Sequence, residues 1–256
     1  MLRCCFGITV RTPSQTNDDT LEHLIKQKGI VVDLWLSQKT LRLRRGSSIF
    51  ICRRTSTAER EKTVLRKLVS NHVPWVVNAL EDVPSTVCCS YTPGLDMTQC
   101  ALTMEKPVLR RTLLRVVEAL LFCHERRIVH LDIKPENIVV TSTGTVKLID
   151  FEYAREIPAG ERELHLSYRC GTMGYVAPEV LMEGMACFSS DVWSFGCLIL
   201  ACCGHMNHTG YPERIALHEP MPIHKAYTQY QYILKSMLIY DPTKRMNMTN
   251  IAAALK

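Results

Sequence analysis

The chain has 256 residues, with 31 basic and 25 acidic side chains and a formal charge of +6. Hydrophobic residues make up 46% and charged ones 22%, which excludes a disordered chain and leaves one large domain or two small lobes around a cleft. No uncharged apolar run reaches the roughly 18–20 residues that a membrane span needs, and MLRCCFGITV is too short an apolar opening for a signal peptide.

In chain order, residues 1–28 hold a polar stretch, Thr12 to Thr20, that reads as a linker or arm. GIVVDLWL, TLRLR and SSIFICRR are short, β-rich and partly alternating, which predicts a three-strand meander over 29–54. Ser56-Thr-Ala-Glu-Arg-Glu opens a helix with capping residues and early acids, running to about Val69. Two further strands are expected near 75–80 and 85–91, the second ending at Thr92-Pro93-Gly94. Beyond residue 92 the pattern turns helical. KPVLRRTLLRVVEALLFCHERR places Leu109, Leu113, Val116, Val117, Leu120 and Leu121 on one face, VWSFGCLILACC reads as a buried helix, and YTQYQYILKSMLIYDP as another.

Twelve cysteines fall as vicinal pairs and singles without any C-x-x-C, so a zinc ribbon or dithiol is not expected; buried reduced thiols in an intracellular protein are. Basic clusters such as Arg42, Arg44 and Arg45 are interspersed with acids and lack any RNP, zinc-finger or basic-zipper signature, which argues for a solvated surface over nucleic-acid binding.

The chemistry concentrates in His130-Leu-Asp-Ile-Lys-Pro-Glu-Asn137, followed by Thr-Gly-Thr-Val-Lys-Leu-Ile-Asp150-Phe-Glu. Within a short stretch these offer an Asp, a Lys, an Asn and a second Asp on two loops. Phosphoryl transfer needs that set: a carboxylate for the accepting hydroxyl, a cation for the moving charge, and hard oxygen ligands for Mg²⁺. Gly171-Thr-Met-Gly-Tyr-Val-Ala-Pro-Glu179, Ser190-Asp-Val-Trp-Ser-Phe-Gly196 and Asp241-Pro-Thr-Lys-Arg245 follow. In motif order and spacing the sequence resembles the eukaryotic protein kinases over about residues 29–256. The resemblance implies an α+β bilobal fold: an extension over 1–28, a small β-rich lobe with one helix over 29–92, and a larger mainly helical lobe over 93–256.

It also implies roles. Asp132 would orient the substrate hydroxyl and take its proton, with Lys134 beside the γ-phosphate of ATP; a Lys there with Thr172 is the serine/threonine-specific pattern. Asn137 and Asp150 would ligate Mg²⁺. Glu179 would pair with Arg245, and Asp191 would brace the catalytic loop, both as scaffold. Cys89 would stand at the gatekeeper, Ser90 to Thr92 would offer backbone to adenine, Asp96 would reach the ribose and Val139 would lie under the ring. Glu61 matches the small-lobe helix glutamate. Leu131 stands where many relatives carry an arginine that pairs with a phosphate, which implies no need for activation-segment phosphorylation.

Three departures stand out. SQKT replaces the glycine-rich hairpin, Glu152 replaces the glycine of the metal-binding triplet, and no lysine occupies the third strand. Two residues can supply the missing cation. Lys39 at the hairpin turn is similar to the arrangement in with-no-lysine kinases, with Cys52 in the third strand; Arg53 is the direct substitute. The Lys-Thr match favours Lys39. The function expected is a serine/threonine kinase acting on a protein hydroxyl, with no membrane partner. The alternatives are a pseudokinase serving as a nucleotide-binding or scaffolding module and, on net charge alone, a nucleic-acid binder. The compressed small lobe resembles kinases encoded by large DNA viruses, and the expected location is the cytoplasm or nucleus, in the viral case of an infected host cell.

Overall fold

A computed structural model describes residues 23, 25–81, 83–205 and 211–256. The polar stretch at 12–20 and the Cys4–Cys5 pair lie outside the described residues. Three strands begin the first sheet: β1 (Val31–Ser37), β2 (Thr40–Arg45) and β3 (Ser48–Arg54). They pair antiparallel, with Thr40 opposite Arg53 and Leu43 opposite Phe50, and β4 (Thr86–Ser90) adds to β3. Alternation decides which face does what. Leu41, Leu43, Phe50 and Cys52 point into a small apolar cluster with Ile25, Ile30, Leu80 and Cys88. The opposite face of β3, Ile51 and Arg53, lines a cleft.

Helix α1 (Ala58–Lys67) crosses behind this sheet, with Glu59 and Glu61 in its first turn favoured by the helix dipole. The strand expected at 75–80 reduces to a single bridge, Val76 to Cys89, with Val77 N–H donating to Cys88 O. Pro74 contributes no N–H, and the chain turns at 78–79, so a ladder cannot extend.

After β5 (Leu95–Asp96) and the short α2 (Met97–Cys100), the long α3 (Lys106–Glu125) buries Leu109, Leu113, Val116, Val117 and Leu120 as its periodicity predicts; Leu121 is only partly buried. Then come β6 (Ile128–Val129), β7 (Ile138–Val140), β8 (Val146–Leu148) and β9 (Arg155–Glu156). Strands β5, β7 and β8 form one small sheet, and β6 pairs with β9. Strand β10 (Glu163–His165) pairs with β11 (Met185–Cys187) around α4 (Pro178–Met182). Helix α5 (Phe188–Cys202) buries Trp193, Phe195, Leu198 and Leu200, as an all-apolar helix must. Helices α6 (Tyr211–Ala216), α7 (Thr228–Met237) and α8 (Met248–Ala254) complete the larger core. The described cysteines are all free thiols, and no helix among the described residues is long and apolar enough to cross a membrane.

Candidate active site

The segment 130–137 is held from below. Asp191, fully buried at the start of α5, accepts the backbone N–H of His130 and of Leu131, each at 2.9 Å, and pairs with His124 Nε2 at 2.8 Å. Burial disfavours its charge, but the His124 hydrogen bond and the nearby imidazoles outweigh that, so the carboxyl stays below its ordinary range. The tether fixes a bent backbone: Leu131 sits at φ 65°, a left-handed conformation a leucine rarely adopts. Gly171 packs on the same loop, where a Cβ would meet Leu131 O at 2.8 Å.

On this platform Asp132, 3% exposed, is the hub. Its Oδ1 accepts the Thr172 hydroxyl at 2.6 Å, its Oδ2 meets Lys134 Nζ at 2.8 Å, and Asn137 Nδ2 donates to Oδ2 at 2.8 Å. Lys134 Nζ also donates to Thr172 Oγ1 at 2.7 Å, closing a triangle of Asp, Lys and Thr. Asn137 spends its amide nitrogen on Asp132, so its Oδ1 has no partner among the described residues. Its carbonyl accepts from Ile149 N–H at 2.9 Å, which ties the loop to Asp150. Asp150 lies at φ 63°, and its side chain lines the cleft.

The two candidates for the missing lysine are placed differently, Arg53 within the cleft and Lys39 outside its lining. Its guanidinium reaches Glu61 Oε2 at 2.5 Å through one terminal nitrogen, and Asp150 Oδ1 and Glu152 Oε2 at 2.8 Å through the other. Burial opposes its charge, yet the three carboxylates hold its pKa above the ordinary guanidinium value. Glu61, 3% exposed, is pushed up to about 7 by burial, with Arg53 pulling the other way and Asp150 adding repulsion. Lys39, by contrast, is exposed at the two-residue β1–β2 turn and does not line the cleft. Strand alternation explains the difference: Arg53 follows buried Cys52 and so faces the cleft, whereas a turn residue has no such obligation.

The cleft encloses about 240 Å³ between the sheet and β7. Leu36, Ile51, Val87 and Val139 make it apolar; Ser90, Tyr91 and Thr92 run along its edge. Ser90 N–H is taken by Trp75 O at 2.9 Å, while the Thr92 hydroxyl is buried without a partner among the described residues. Gly94 allows this edge to lie flat on β7, since a Cβ there would stand 2.5 Å from Val140 O. Asp96 caps α2 by accepting Gln99 N–H at 3.1 Å, and burial raises its pKa. The cleft thus gathers Arg53, Glu61, Ser90, Thr92, Val139 and Asp150; Asp132, Lys134, Asn137 and Thr172 form the adjoining network, and Lys39 joins neither.

Deeper in the larger lobe, Arg245 and Glu179 form a bidentate buried pair at 2.8 and 2.7 Å, braced by Ser190 Oγ at 2.7 Å. Two groups had no sequence signal: Thr55, whose hydroxyl donates to Glu152 Oε1 at 2.8 Å, and Arg60, which donates to Glu152 O at 3.0 Å. Each reads in sequence as an ordinary polar residue at a helix start.

Residues 37–254 match the protein kinase domain model. The chain belongs to the eukaryotic-type protein kinase superfamily. It is 30% identical over 138 residues to rat 3-phosphoinositide-dependent protein kinase 1, covering 51% of this chain and 24% of the relative. It is 29% identical over 228 residues to mouse G protein-coupled receptor kinase 4, covering 82% and 38%, and 38% identical over 98 residues to rat cyclin-dependent kinase-like 2, covering 38% and 19%. The aligned regions therefore span well under half of these relatives' lengths. Family and relatives support protein kinase activity, for which ATP and a divalent metal are the general requirement.

Proposed function

We propose that this kinase domain is catalytically active and transfers the γ-phosphate of ATP, with Mg²⁺, to serine or threonine hydroxyls of proteins. The observation that carries the reading is the closed Asp132–Lys134–Thr172 triangle beside Asn137 and Asp150. The donor set suits the cofactors: Asn137 Oδ1 is uncommitted among the described residues, and the Asp150 carboxylate borders the cleft, so two hard oxygens are available to a cation that keeps waters and phosphates as its other ligands. The unpartnered Thr92 hydroxyl and the apolar walls suit a heteroaromatic base.

Bound Mg·ATP would supply the phosphoryl group and neutralise its charge. The chain's own residues do the rest. Asp132 holds the accepting hydroxyl and receives its proton; Lys134, already aligned by Thr172, offsets charge on the phosphoryl side. Ser90 carbonyl and Thr92 backbone orient the base above Val139, and Arg53, held by Glu61, faces the phosphates in the role otherwise filled by a strand lysine; Asp96, which caps α2, does not line the cleft. The two-residue β1–β2 turn contains no glycine, which favours a second reading, a pseudokinase that binds nucleotide or a partner without turnover. Transfer of labelled γ-phosphate to a generic basic protein at millimolar Mg·ATP separates the two. Activity in the wild type that disappears in Asp132→Ala and Asp150→Ala supports the enzyme; signal no higher than in those variants supports the scaffold.

A further inference from the structure

We propose that Glu152 is a positioning residue that occupies one edge of the Arg53 guanidinium and thereby releases Asp150 to hold a divalent cation. This rests on the kinase reading above. Arg53 differs from a lysine in having two terminal nitrogens in a rigid fork, and an unopposed fork grips a single carboxylate tightly. In this site the nitrogen that touches Asp150 Oδ1 at 2.8 Å touches Glu152 Oε2 at the same distance. Glu152 has anchors besides Arg53: its own N–H donates to Asp150 Oδ1 at 3.3 Å, while Thr55 Oγ1 donates to its other carboxylate oxygen at 2.8 Å and Arg60 of α1 donates to its backbone carbonyl at 3.0 Å, two contacts that do not involve Asp150. Arg53 is only 16% exposed, so detaching Asp150 without a substitute would leave a largely buried charged edge unpaired, which is costly. With Glu152 in place the edge keeps its partner while Asp150 turns to the cation. An arginine at 53 and a glutamate at 152, two separate departures from the family pattern, become one compensated unit.

The test is Mn²⁺ binding, followed by electron paramagnetic resonance, to the full chain saturated with a non-hydrolysable ATP analogue whose β–γ bridge is an imide. Glu152→Ala should weaken Mn²⁺ binding about tenfold or more, the usual scale for losing a group that orients a metal ligand, whereas in an Arg53→Lys background the same substitution should change it by less than about twofold. Glu152→Gln, which keeps the shape and loses the charge, should fall in the same direction by less, and serves if the alanine variant does not fold. Unchanged Mn²⁺ affinity in Glu152→Ala overturns the proposal. So does an equal loss in both backgrounds, which would make Glu152 a metal ligand itself. A wild type that takes up no Mn²⁺ overturns the nucleotide site as well; one that takes it up but transfers no phosphate removes only the activity.

Discussion

Replacing Arg53 by methionine leaves Glu61 buried without its countercharge, and the cost has a distinctive pH dependence. The folded pKa of Glu61 stands near 7, raised from 4.5 by burial against the pull of Arg53. A raised carboxyl contributes stability that is complete below pH 4.5 and is lost as pH climbs to about 7, after which the wild type levels off. Without Arg53 that pKa rises further, so the variant goes on losing stability where the wild type has stopped. Each pH unit above 7 adds on the order of 1 kcal/mol for one group, so the deficit from Glu61 is near zero at pH 6 and grows to roughly 1–3 kcal/mol between pH 8 and pH 9. Urea unfolding of both proteins from pH 5.5 to 9 measures it. A deficit that stays constant across the range would mean that Glu61 does not depend on Arg53, and the reasoning about the three-carboxylate cluster would be refuted.

Lys39→Met should retain phosphotransfer within about twofold, because an exposed turn lysine outside the cleft contributes a surface charge only; a loss comparable to that of Arg53→Met would assign the phosphate cation to Lys39 instead. The kcat/KM profile should rise as pH climbs through about 7, since a protonated Glu61 gives Arg53 one carboxylate fewer, and Glu61→Gln should flatten that limb at a lower rate; a limb that persists in the variant belongs to another group. Arg245→Met should destabilise the larger lobe by about 3–5 kcal/mol, as breaking a buried bidentate pair does, visible as a large drop in thermal midpoint. Gly94→Ala should weaken nucleotide binding and cost about 1–3 kcal/mol of stability, because its Cβ would overlap Val140 O and Val139 Cγ1; wild-type binding by that variant would show that the edge segment can lift from β7.

Much of this was legible in the amino-acid order. The 3.6-residue spacing of Leu109 to Leu120 set the buried face of α3, and the alternation in TLRLRR set both faces of β2, because burial of one face is a strong and local constraint. The 130–137 and 150–152 segments could be read for chemistry because their residue types are demanded by phosphoryl transfer. Which of the two candidate cations faces the cleft was harder to read. A Lys-Thr dipeptide at a turn is a short signal, whereas the direction of the Arg53 side chain follows from strand register, and register is fixed by pairing with β2 and β4 at a distance in sequence. Glu152 was visible as an anomaly but its partners were not, since Thr55 and Arg60 reach it only after nearly a hundred residues of chain have folded back. The strand expected at 75–80 failed for a local reason, a proline followed by a turn.

Hydrolysis of a labelled protein substrate and identification of the phosphoamino acids tests the central claim most directly. At millimolar Mg·ATP the wild type should yield phosphoserine or phosphothreonine, and Asp132→Ala should yield at least about a hundredfold less, the scale of a lost proton acceptor. Equal label from both proteins, or none from the wild type, would contradict it.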